Sequence, residues 1–305
     1  MSEIVYHIPA MLTECIDGLN IKPNGIYVDV TFGGGGHSRA IIKKLGKNGK
    51  LFSFDQDIDA YANRIEDERF TFVHSNFRYI KNFLRYHGIE KVDGILGDLG
   101  VSFHHFDAPE RGFTFRNDAP LDMRMNQSAS IDAKTVVNEY TEEQLCHILN
   151  TFGEIKRPMP FARAIIKARE EKQICTTTEL LSIIRPLINP KQEKKELAQI
   201  FQALRIEVNG EMDVLRDFME STKQVLKPGG RLVVLTYHSL EDRMVKNFIR
   251  SGNIEGKIEK DFFGNSNTPW KPITKGVQTP SDEEISANPR SRSAKLRVAE
   301  LIENY

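Results

Sequence analysis

Apolar residues in the first hundred positions follow two alternating periods. Four short runs rich in β-branched and aromatic residues are typical of buried strands, namely 26–30, 51–55, 70–74 and 92–98. Stretches with apolar residues at helical spacing lie ahead of and between these runs, at 9–19, 38–45, 58–66 and 78–87. Strands that alternate with helices of this length predict a parallel, doubly wound α/β sheet.

The pattern becomes helical near residue 131 and returns to strands near residue 227. Helices are predicted over 142–150, 160–171, 178–187, 194–206 and 211–226. Lys227-Pro-Gly-Gly230 is predicted to form a turn that starts a buried strand, and Ser239 to cap the next helix. Residues 295–302 alternate like an edge strand. We therefore expect a sheet domain over 1–106 and 215–305, with an all-helical domain inserted over 107–214.

Four consecutive glycines, residues 33–36, lie between the first predicted strand and the helix that begins near Ser38. Glycine lets a backbone turn sharply and approach a ligand closely, because no Cβ is in the way. A strand, a glycine loop and a helix N-terminus in this order form the nucleotide-binding end of an open α/β sheet. A plain connector is the alternative, but so many glycines would weaken one.

The glycine loop alone does not identify the nucleotide. A dinucleotide fingerprint needs a third glycine where Ser38 stands, and a P-loop needs a Gly-Lys-Ser/Thr sequence that is absent. Asp29 late in the first strand, followed by a Gly-x-Gly pair, is the layout of S-adenosylmethionine sites. Asp55 ends the second strand about 20 residues past the loop, where a carboxylate takes ribose hydroxyls. These residues favour a nucleoside cofactor.

Further candidate residues follow the fourth predicted strand. Asp98 ends that strand, at the sheet edge where the glycine loop and Asp55 are expected, so it is a candidate for the reacting site. Residues 103–126 follow neither period, and a long loop of this kind is usually functional. It contains His104 and His105, but no second His or Cys pair completes a metal site, and no metal is predicted. Residues 288–297, rich in Arg and Ser, are candidates for phosphate contacts.

Composition narrows the class of protein. The 42 basic and 42 acidic residues cancel to a net charge of zero, so a nucleic-acid-binding role must rest on a local patch. No apolar run approaches the ~20 residues of a membrane span, and the three cysteines are scattered. We expect a cytoplasmic protein with no membrane partner and no disulfides.

Several long motifs together resemble one family, the bacterial MraW or RsmH methyltransferases. They run in family order over nearly the whole chain: Thr31-Phe-Gly-Gly-Gly-Gly-His-Ser38, Asp93-Gly-Ile-Leu-Gly-Asp-Leu-Gly-Val-Ser102, Glu110-Arg-Gly-Phe113, Leu121-Asp-Met-Arg-Met125, Phe201-Gln-Ala-Leu-Arg-Ile-Glu-Val-Asn209, His238-Ser-Leu-Glu-Asp-Arg243 and Asn288-Pro-Arg-Ser-Arg-Ser-Ala-Lys-Leu-Arg297. The chain departs from the family at His105, where Gln is usual, and at residues 194–199, where many members carry a His-Pro-Ala-Thr-Arg-like stretch.

The resemblance implies a class I (Rossmann-like) methyltransferase sheet with S-adenosylmethionine as cofactor. The implied acceptor is the exocyclic N4 amine of one cytidine in the decoding region of small-subunit (16S) ribosomal RNA, and the helical insertion would help to recognise it. Zero net charge favours the assembled 30S subunit as substrate. The oligomeric state is not fixed, and a homodimer stays a candidate. By position, the cofactor contacts implied are Gly35, Gly36, His37, Asp55, Phe77, Asp98 and His105.

A cytosine amine is a poor nucleophile, because its lone pair is delocalised into the ring. The protein must align it with the methyl group and accept hydrogen bonds from it as positive charge grows. We predict Asp98, or a backbone carbonyl beside it, as this acceptor, and His238 as a second catalytic candidate. Phe103, Phe106 and Phe113 are available to stack on a flipped base.

Three other readings of the motifs stay open at this point. An NAD-dependent oxidoreductase fits the first two strands, although the missing third glycine counts against it. A ribosome-assembly factor that binds S-adenosylmethionine without turnover fits every motif equally well. A DNA amine methyltransferase is the nearest enzymatic alternative. The absence of an Asn/Asp-Pro-Pro-aromatic tetrad and the helical insertion count against it.

Overall fold

The computed structural model describes residues 9–100, 108–260 and 268–302. The chain divides into two compact units, one running to Gly100 and resuming at Met212, the other spanning Val101–Glu211. We call them the sheet unit and the helical unit. The domain boundaries predicted from the sequence, 106/107 and 214/215, stay a prediction.

A seven-stranded sheet forms the centre of the sheet unit. Its strands are β1 Ile26–Asp29, β2 Lys50–Asp55, β3 Phe70–His74, β4 Val92–Asp98, β5 Leu226–Thr236, β6 Trp270–Pro272 and β7 Lys295–Leu301. They lie in the order β3-β2-β1-β4-β5-β7-β6, in which neighbouring strands of the first five are parallel. The predicted doubly wound α/β sheet is confirmed.

The prediction of residues 295–302 as an edge strand is wrong. β7 lies between β5 and β6, antiparallel to both. Its charged positions are tolerated inside the sheet because they are paired: Arg297 contacts Asp242 at 2.8 Å and Glu300 contacts Arg231 at 2.9 Å. Charged residues that alternate along a strand are usual at an exposed edge, and the sequence does not show that these are paired with residues on other elements.

Most helices begin and end close to the predicted positions, whereas those over 133–139 and 282–287 were not predicted. They are α1 Leu12–Leu19, α2 Gly36–Lys44, α3 Ile80–Tyr86, α4 Ala133–Glu139, α5 Glu142–Thr151, α6 Met159–Glu171, α7 Thr177–Ile184, α8 Glu193–Asn209, α9 Glu211–Val225, α10 Ser239–Ser251 and α11 Asp282–Ala287. The helix predicted over 58–66 is instead a 3₁₀ turn, Ile58–Asn63. Its apolar residues Ile58 and Tyr61 stay exposed, so no buried face supports a longer helix.

Both faces of the sheet are buried, as parallel strands require. Val28, Phe54 and Ile95 pack on one side with Phe218 of α9 and Phe248 of α10. On the other side the sheet packs with α1 and α2 through a second set of buried residues: Leu19, Tyr27, Ile41, Leu51, Leu96 and Val233. These two layers fix the carboxyl ends of the parallel strands, where the candidate site lies.

The predicted Pro-Gly-Gly turn lies within β5 as a bulge. Leu226 pairs with Val92, and the next pair joins Arg231 to Gly94, so the intervening residues of β5 project from the ladder. Gly229 adopts φ +76°, a conformation that glycine reaches at little cost.

The helical unit has its own apolar core, formed by α4 to α8. Thr141 and Thr176 start α5 and α7 with reciprocal capping boxes. The sequence missed α4, although Asp132 caps it and Ala133, Val136 and Val137 bury one face. In the part of the chain that the structure describes, no helix is long and apolar enough to cross a membrane.

Candidate functional site

The glycine loop joins β1 to α2 and lies at the carboxyl end of the sheet. Gly33 and Gly35 have φ of +50° and +75°, which a residue with a Cβ rarely adopts. A Cβ on Gly35 would also lie 2.6 Å from Arg39 Nη1 and 2.8 Å from the Phe32 ring. A Cβ on Gly34 would meet nothing within 4 Å. Gly35 is therefore required by the fold, whereas Gly34 borders open space.

Two long side chains and one carboxylate hold this loop in place. Arg39 Nη1 donates to the Gly34 carbonyl at 2.5 Å, and Asn63 Nδ2 donates to the Gly33 carbonyl at 3.2 Å. The Gly33 N–H donates to Asp55 Oδ2 at 2.8 Å. Asp55 also accepts from the Asp57 N–H at 2.9 Å. The predicted ribose carboxylate thus lies directly beside the loop and helps to shape it.

Asp29 lies beneath the loop and is completely buried. Its carboxylate accepts from Ser38 Oγ at 2.6 Å and from the Thr31 N–H at 3.1 Å, and Ser38 contacts Ser53 at 2.8 Å. Burial raises the pKa of Asp29, and His37 and these hydrogen bonds offset part of the rise. Asp29 therefore ties the strand, the loop and the start of α2 together from below.

Asp98 is the last residue of β4 and lies on the same sheet edge. Its N–H donates to Thr31 Oγ1 at 2.7 Å, which fixes the strand end against the loop. Carboxylate oxygen Oδ2 lies 3.8 Å from His37 Nδ1, whereas Oδ1 is buried and has no hydrogen-bond partner among the described residues. Burial raises the pKa of Asp98. An unpaired buried acceptor of this kind requires a donor from a ligand or from water.

His37 lies between the loop and Asp98, and only 5% of its surface is exposed. Its Nε2 lies 3.2 Å from the Ala10 carbonyl oxygen. A carbonyl only accepts, so Nε2 carries a proton and Nδ1 faces the Asp98 carboxylate. The nearby His37 lowers the pKa of Asp98, which partly offsets the effect of burial. A protonated imidazole at this place favours the ionised form of Asp98.

Tyr237 was not among the predicted site residues, yet it contacts Asp98. Its hydroxyl interacts with the Asp98 carboxylate, which lowers the pKa of Asp98 and, together with burial, raises that of Tyr237. The ring lies so close to Gly100 that a Cβ there would be 2.6 Å from it. Tyr237 directly follows β5, the strand beside β4, and only that adjacency could have revealed the contact.

Phe77 follows β3 and is partly buried. Its ring meets Phe218 of α9 edge-on, with ring centroids 5.2 Å apart. This contact anchors Phe77 at the rim of the sheet-unit core. Its predicted contact with a cofactor stays a prediction.

His238 is the N-cap residue of α10, a position that the sequence assigned to Ser239. The Glu241 carboxylate closes the capping box by accepting from the Tyr237 and His238 N–H groups at 2.9 and 3.3 Å. His238 Nε2 lies 3.1 Å from Glu241 Oε1. The ring caps the helix through Nδ1, which accepts from the Glu241 N–H at 3.5 Å, whereas its buried Nε2 has no hydrogen-bond partner among the described residues. The predicted catalytic role of His238 stays a prediction.

Three predicted contact residues, Phe103, His105 and Phe106, lie outside the described residues, as does His104. Phe113 lies in the core of the helical unit with 5% of its surface exposed. It packs there with Arg111, whose guanidinium carbon lies 5.9 Å from the ring centroid. A buried ring of this kind is not free to stack on a base, so the structure does not support that prediction for Phe113.

The chemistry of this edge fits a positively charged cofactor. Asp29, Asp55 and Asp98 all lie beside the loop, and the guanidinium of Arg39 is hydrogen-bonded to backbone carbonyls. A pyrophosphate would be repelled by such a set of carboxylates. A sulfonium or an ammonium group would be stabilised by it. S-adenosylmethionine carries both groups, so the residues present fit it.

Comparison of the sequence with known proteins identifies its family. The sequence profile of the MraW methylase family matches residues 4–302. An rRNA methylase structure from Streptococcus thermophilus superposes with a TM-score of 0.43 at 12% identity, covering 97% of this chain and 99% of that chain. The chain is 58% identical over 298 residues to the ribosomal RNA small subunit methyltransferase H of Bacteroides thetaiotaomicron, with 98% of each chain covered. The protein of the same name from Flavobacterium johnsoniae is 57% identical over 297 residues, 97% of this chain and 98% of that one. By its family profile and these two relatives, the chain belongs to the MraW methylase family.

Proposed function

We propose that this methyltransferase transfers a methyl group from S-adenosylmethionine to the N4 amine of one cytidine in small-subunit ribosomal RNA. The family and the names of its close relatives support an rRNA substrate. The observation that carries the choice of an amine acceptor is the buried, unpaired Oδ1 of Asp98, beside the glycine loop. An amine that gains positive charge during the reaction needs an acceptor at such a place.

We assign the cofactor to the edge formed by the glycine loop and the ends of β2 and β4. S-adenosylmethionine supplies an activated methyl group on its sulfonium. Asp55 would accept from the ribose hydroxyls, and Phe77 would border the base. The proposed contacts also include Gly35, Gly36, His37, Asp98 and, outside the described residues, His105.

Asp98 is proposed to act on the acceptor amine. As the amine nitrogen bonded to the methyl carbon, the bond from that carbon to sulfur would break, and its electron pair would stay on sulfur, leaving the neutral thioether S-adenosylhomocysteine. The N–H bonds of the amine would become more acidic, and the Asp98 carboxylate can take up the released proton. The raised pKa of Asp98 makes it a better proton acceptor than an exposed aspartate, while His37 and Tyr237 limit that rise. Asp98 must be ionised for this role.

The substrate proposed is the assembled small subunit. The chain has no net charge, so charge alone would attract it weakly to free RNA. Several basic residues of the helical unit are already paired, among them Arg163 with Glu142 at 3.0 Å and Arg205 with Glu211 at 2.8 Å. Recognition by shape and by several separate contacts suits a preassembled particle better than free RNA.

The test is to identify the labelled product. Tritiated S-adenosylmethionine is incubated with small subunits, naked 16S RNA or DNA, all from a strain that lacks this gene, and the nucleosides are then separated. We expect label in N4-methylcytidine, mainly with small subunits, and its loss in Asp98→Ala but not in Asp17→Asn, an exposed control. Bound cofactor without label would favour the assembly factor, and label in DNA would favour the DNA methyltransferase.

A further inference from the structure

A second charged site lies on the sheet unit, at the end of the sheet that carries β6. The cavity has a volume of about 250 Å³ between α10, β6, β7 and the loop that follows β6. Four cationic side chains line it: Lys246, Arg250, Lys275 and Arg297. Among the described residues that line it, none is acidic. We call it the β6–α10 cavity.

The walls of this cavity are built by specific contacts. Ile273 donates its N–H to the Val298 carbonyl at 2.9 Å, and Gln278 exchanges backbone hydrogen bonds of 3.0 and 2.8 Å with Leu296. Because both ends of the intervening loop are fixed to β7, residues 274–277 are held away from the strand. This holds Lys275 opposite the C-terminal half of α10.

The floor and the opposite wall are equally well fixed. Trp270 is buried against Phe248, with ring centroids 5.6 Å apart, and its indole Nε1 has no hydrogen-bond partner among the described residues. Thr268 Oγ1 donates to the Ile249 carbonyl at 3.3 Å and joins the strand to α10. The cavity therefore combines an apolar floor with a rim of cations.

The positive charges of this cavity differ in how far nearby carboxylates neutralise them. Arg297 contacts Asp242, and Arg250 Nη2 donates to the neutral Gly256 carbonyl at 3.2 Å. Lys246 and Lys275 are exposed at the rim. In a chain of zero net charge, such a local concentration of positive charge is the expected footprint of a polyanion.

We infer that the β6–α10 cavity binds backbone phosphates of the ribosomal RNA at a distance from the transferred methyl group. This inference rests on the proposed function, because it takes RNA as the substrate. β5 and β7 lie between β4, which ends in Asp98, and β6. Since adjacent strands are about 4.8 Å apart, β7 lies about 10 Å and β6 about 14 Å from the strand that carries Asp98. The cavity would therefore position the particle and take no part in the chemistry.

Matched variants isolate the charge of the cavity. Lys246→Gln combined with Lys275→Gln removes two rim cations. Gly276→Glu adds an anion at a lining position where a Cβ meets nothing within 4 Å, and Gly276→Gln is its neutral control. Lys271→Gln is the control for loss of a lysine, since this exposed residue of β6 lies between Trp270 and Pro272 and points to the opposite face.

The measurement is direct binding of small subunits across a series of potassium chloride concentrations. We expect the slope of log affinity against log salt to fall by about 1.5 to 2 in the double lysine variant. Gly276→Glu should weaken binding at low salt several-fold, whereas Gly276→Gln and Lys271→Gln should bind like wild type. An unchanged slope, or an equal change in Lys271→Gln, would overturn the inference.

Two further results separate this inference from binding of a free anion and from the proposed function. Calorimetric binding of inorganic phosphate that is lost in the double variant, while subunit binding is unchanged, would assign the cavity to a free anion and refute the RNA contact. Wild type that binds subunits through the cavity yet transfers no methyl group would refute the proposed function alone. Wild-type methylation and an unchanged salt slope in the double variant would refute the cavity alone.

Discussion

Three aspartates at one sheet edge have different roles because their surroundings differ. Asp29 is sealed beneath the loop and already accepts two hydrogen bonds, and Asp55 accepts backbone N–H groups from the loop and its own turn. Only Asp98 has a buried oxygen without a partner in the part of the chain that is described. All three have the same side chain, so their hydrogen bonds distinguish them. Asp29 and Asp55 support the loop, whereas Asp98 is the candidate for the reacting group.

Tyr237→Phe tests how Asp98 is tuned. Removing the hydroxyl removes an interaction that lowers the pKa of Asp98, so this pKa rises and less carboxylate is present at a given pH. We expect the acid limb of the kcat profile to move to higher pH, so that the rate falls at each pH on that limb and is unchanged on the plateau above it.

The measurement is kcat on small subunits from about pH 5 to about pH 9. Tyr86→Phe is the control, because Tyr86 is 84% exposed and ends α3, so its hydroxyl is open to solvent. An acid limb that stays in place in Tyr237→Phe would separate Tyr237 from the function of Asp98.

Gly34→Ala and Gly35→Ala distinguish a cofactor contact from a folding requirement. Gly35→Ala should lower the free energy of unfolding by about 1 to 3 kcal/mol, because of its positive φ and the clash with Phe32. Gly34→Ala should leave unfolding unchanged but weaken S-adenosylmethionine binding at least about tenfold, since its new methyl enters the open side of the loop.

Thermal unfolding without cofactor measures the stability of the two glycine variants. Equilibrium dialysis with labelled S-adenosylmethionine measures their cofactor affinity. Wild-type cofactor affinity in a normally folded Gly34→Ala protein would move the cofactor away from the loop.

At the scale of the element, buried pairs hold irregular strand ends in place. Asp93 Oδ2 accepts from the Ile26 N–H at 2.9 Å and from Lys227 Nζ at 2.7 Å. Lys227 belongs to the bulge of β5, so one carboxylate connects β1, β4 and the bulge. Pro-Gly-Gly is a local signal, so the turn could be predicted from the sequence. The contact of Lys227 with Asp93 on another strand has no local signal and could not be predicted.

Asp93→Ala should therefore destabilise the sheet unit. Loss of two hydrogen bonds to a largely buried carboxylate should cost about 2 to 3 kcal/mol at neutral pH. Lys227 and the Ile26 N–H hold the pKa of Asp93 below 3.8, so this stabilisation is fully present above 3.8 and lost as pH falls through the lower folded value.

Urea unfolding at about pH 7 and at successively lower pH measures the difference between wild type and Asp93→Ala. The difference should shrink only below about pH 4. A difference that is independent of pH would mean that the charge of Asp93 contributes nothing.

The start of α10 gives a second prediction at this scale. His238→Ala should cost about 1 kcal/mol of stability through loss of the cap, whereas His238→Asn should retain most of it. Chemical denaturation measures both, and equal losses in the two variants would contradict a capping role. Methyl transfer by His238→Asn then decides the predicted catalytic role, since this variant removes the imidazole but keeps the cap.

At the scale of the whole molecule, periodicity predicted the parallel strands and most helices, because each is long enough to show its own pattern. The antiparallel end of the sheet was harder, since β6 has three residues and β7 is charged at positions that are neutralised across strands. The strand-end aspartates were visible in sequence. Tyr237 was not, because its contact with Asp98 arises only from the pairing of β4 with β5.

Zero net charge conceals an uneven distribution of charge over the sheet unit. Carboxylates gather at the carboxyl edge of the parallel strands, and cations gather around the β6–α10 cavity. A cationic cofactor and an anionic polymer would thus be attracted to different places on one surface. Net charge sums the negative edge and the positive cavity to zero, so composition alone could have predicted neither.

The role of Asp98 as acceptor of the amine proton is tested most directly by the Asp98→Asn variant. The measurement is its single-turnover rate of methylation of small subunits at saturating S-adenosylmethionine. Asparagine keeps the size of the side chain but cannot take up a proton. We expect a rate at least about 100-fold below wild type, with cofactor affinity changed less than about tenfold. A rate within about threefold of wild type would show that Asp98 is not the acceptor of the amine proton.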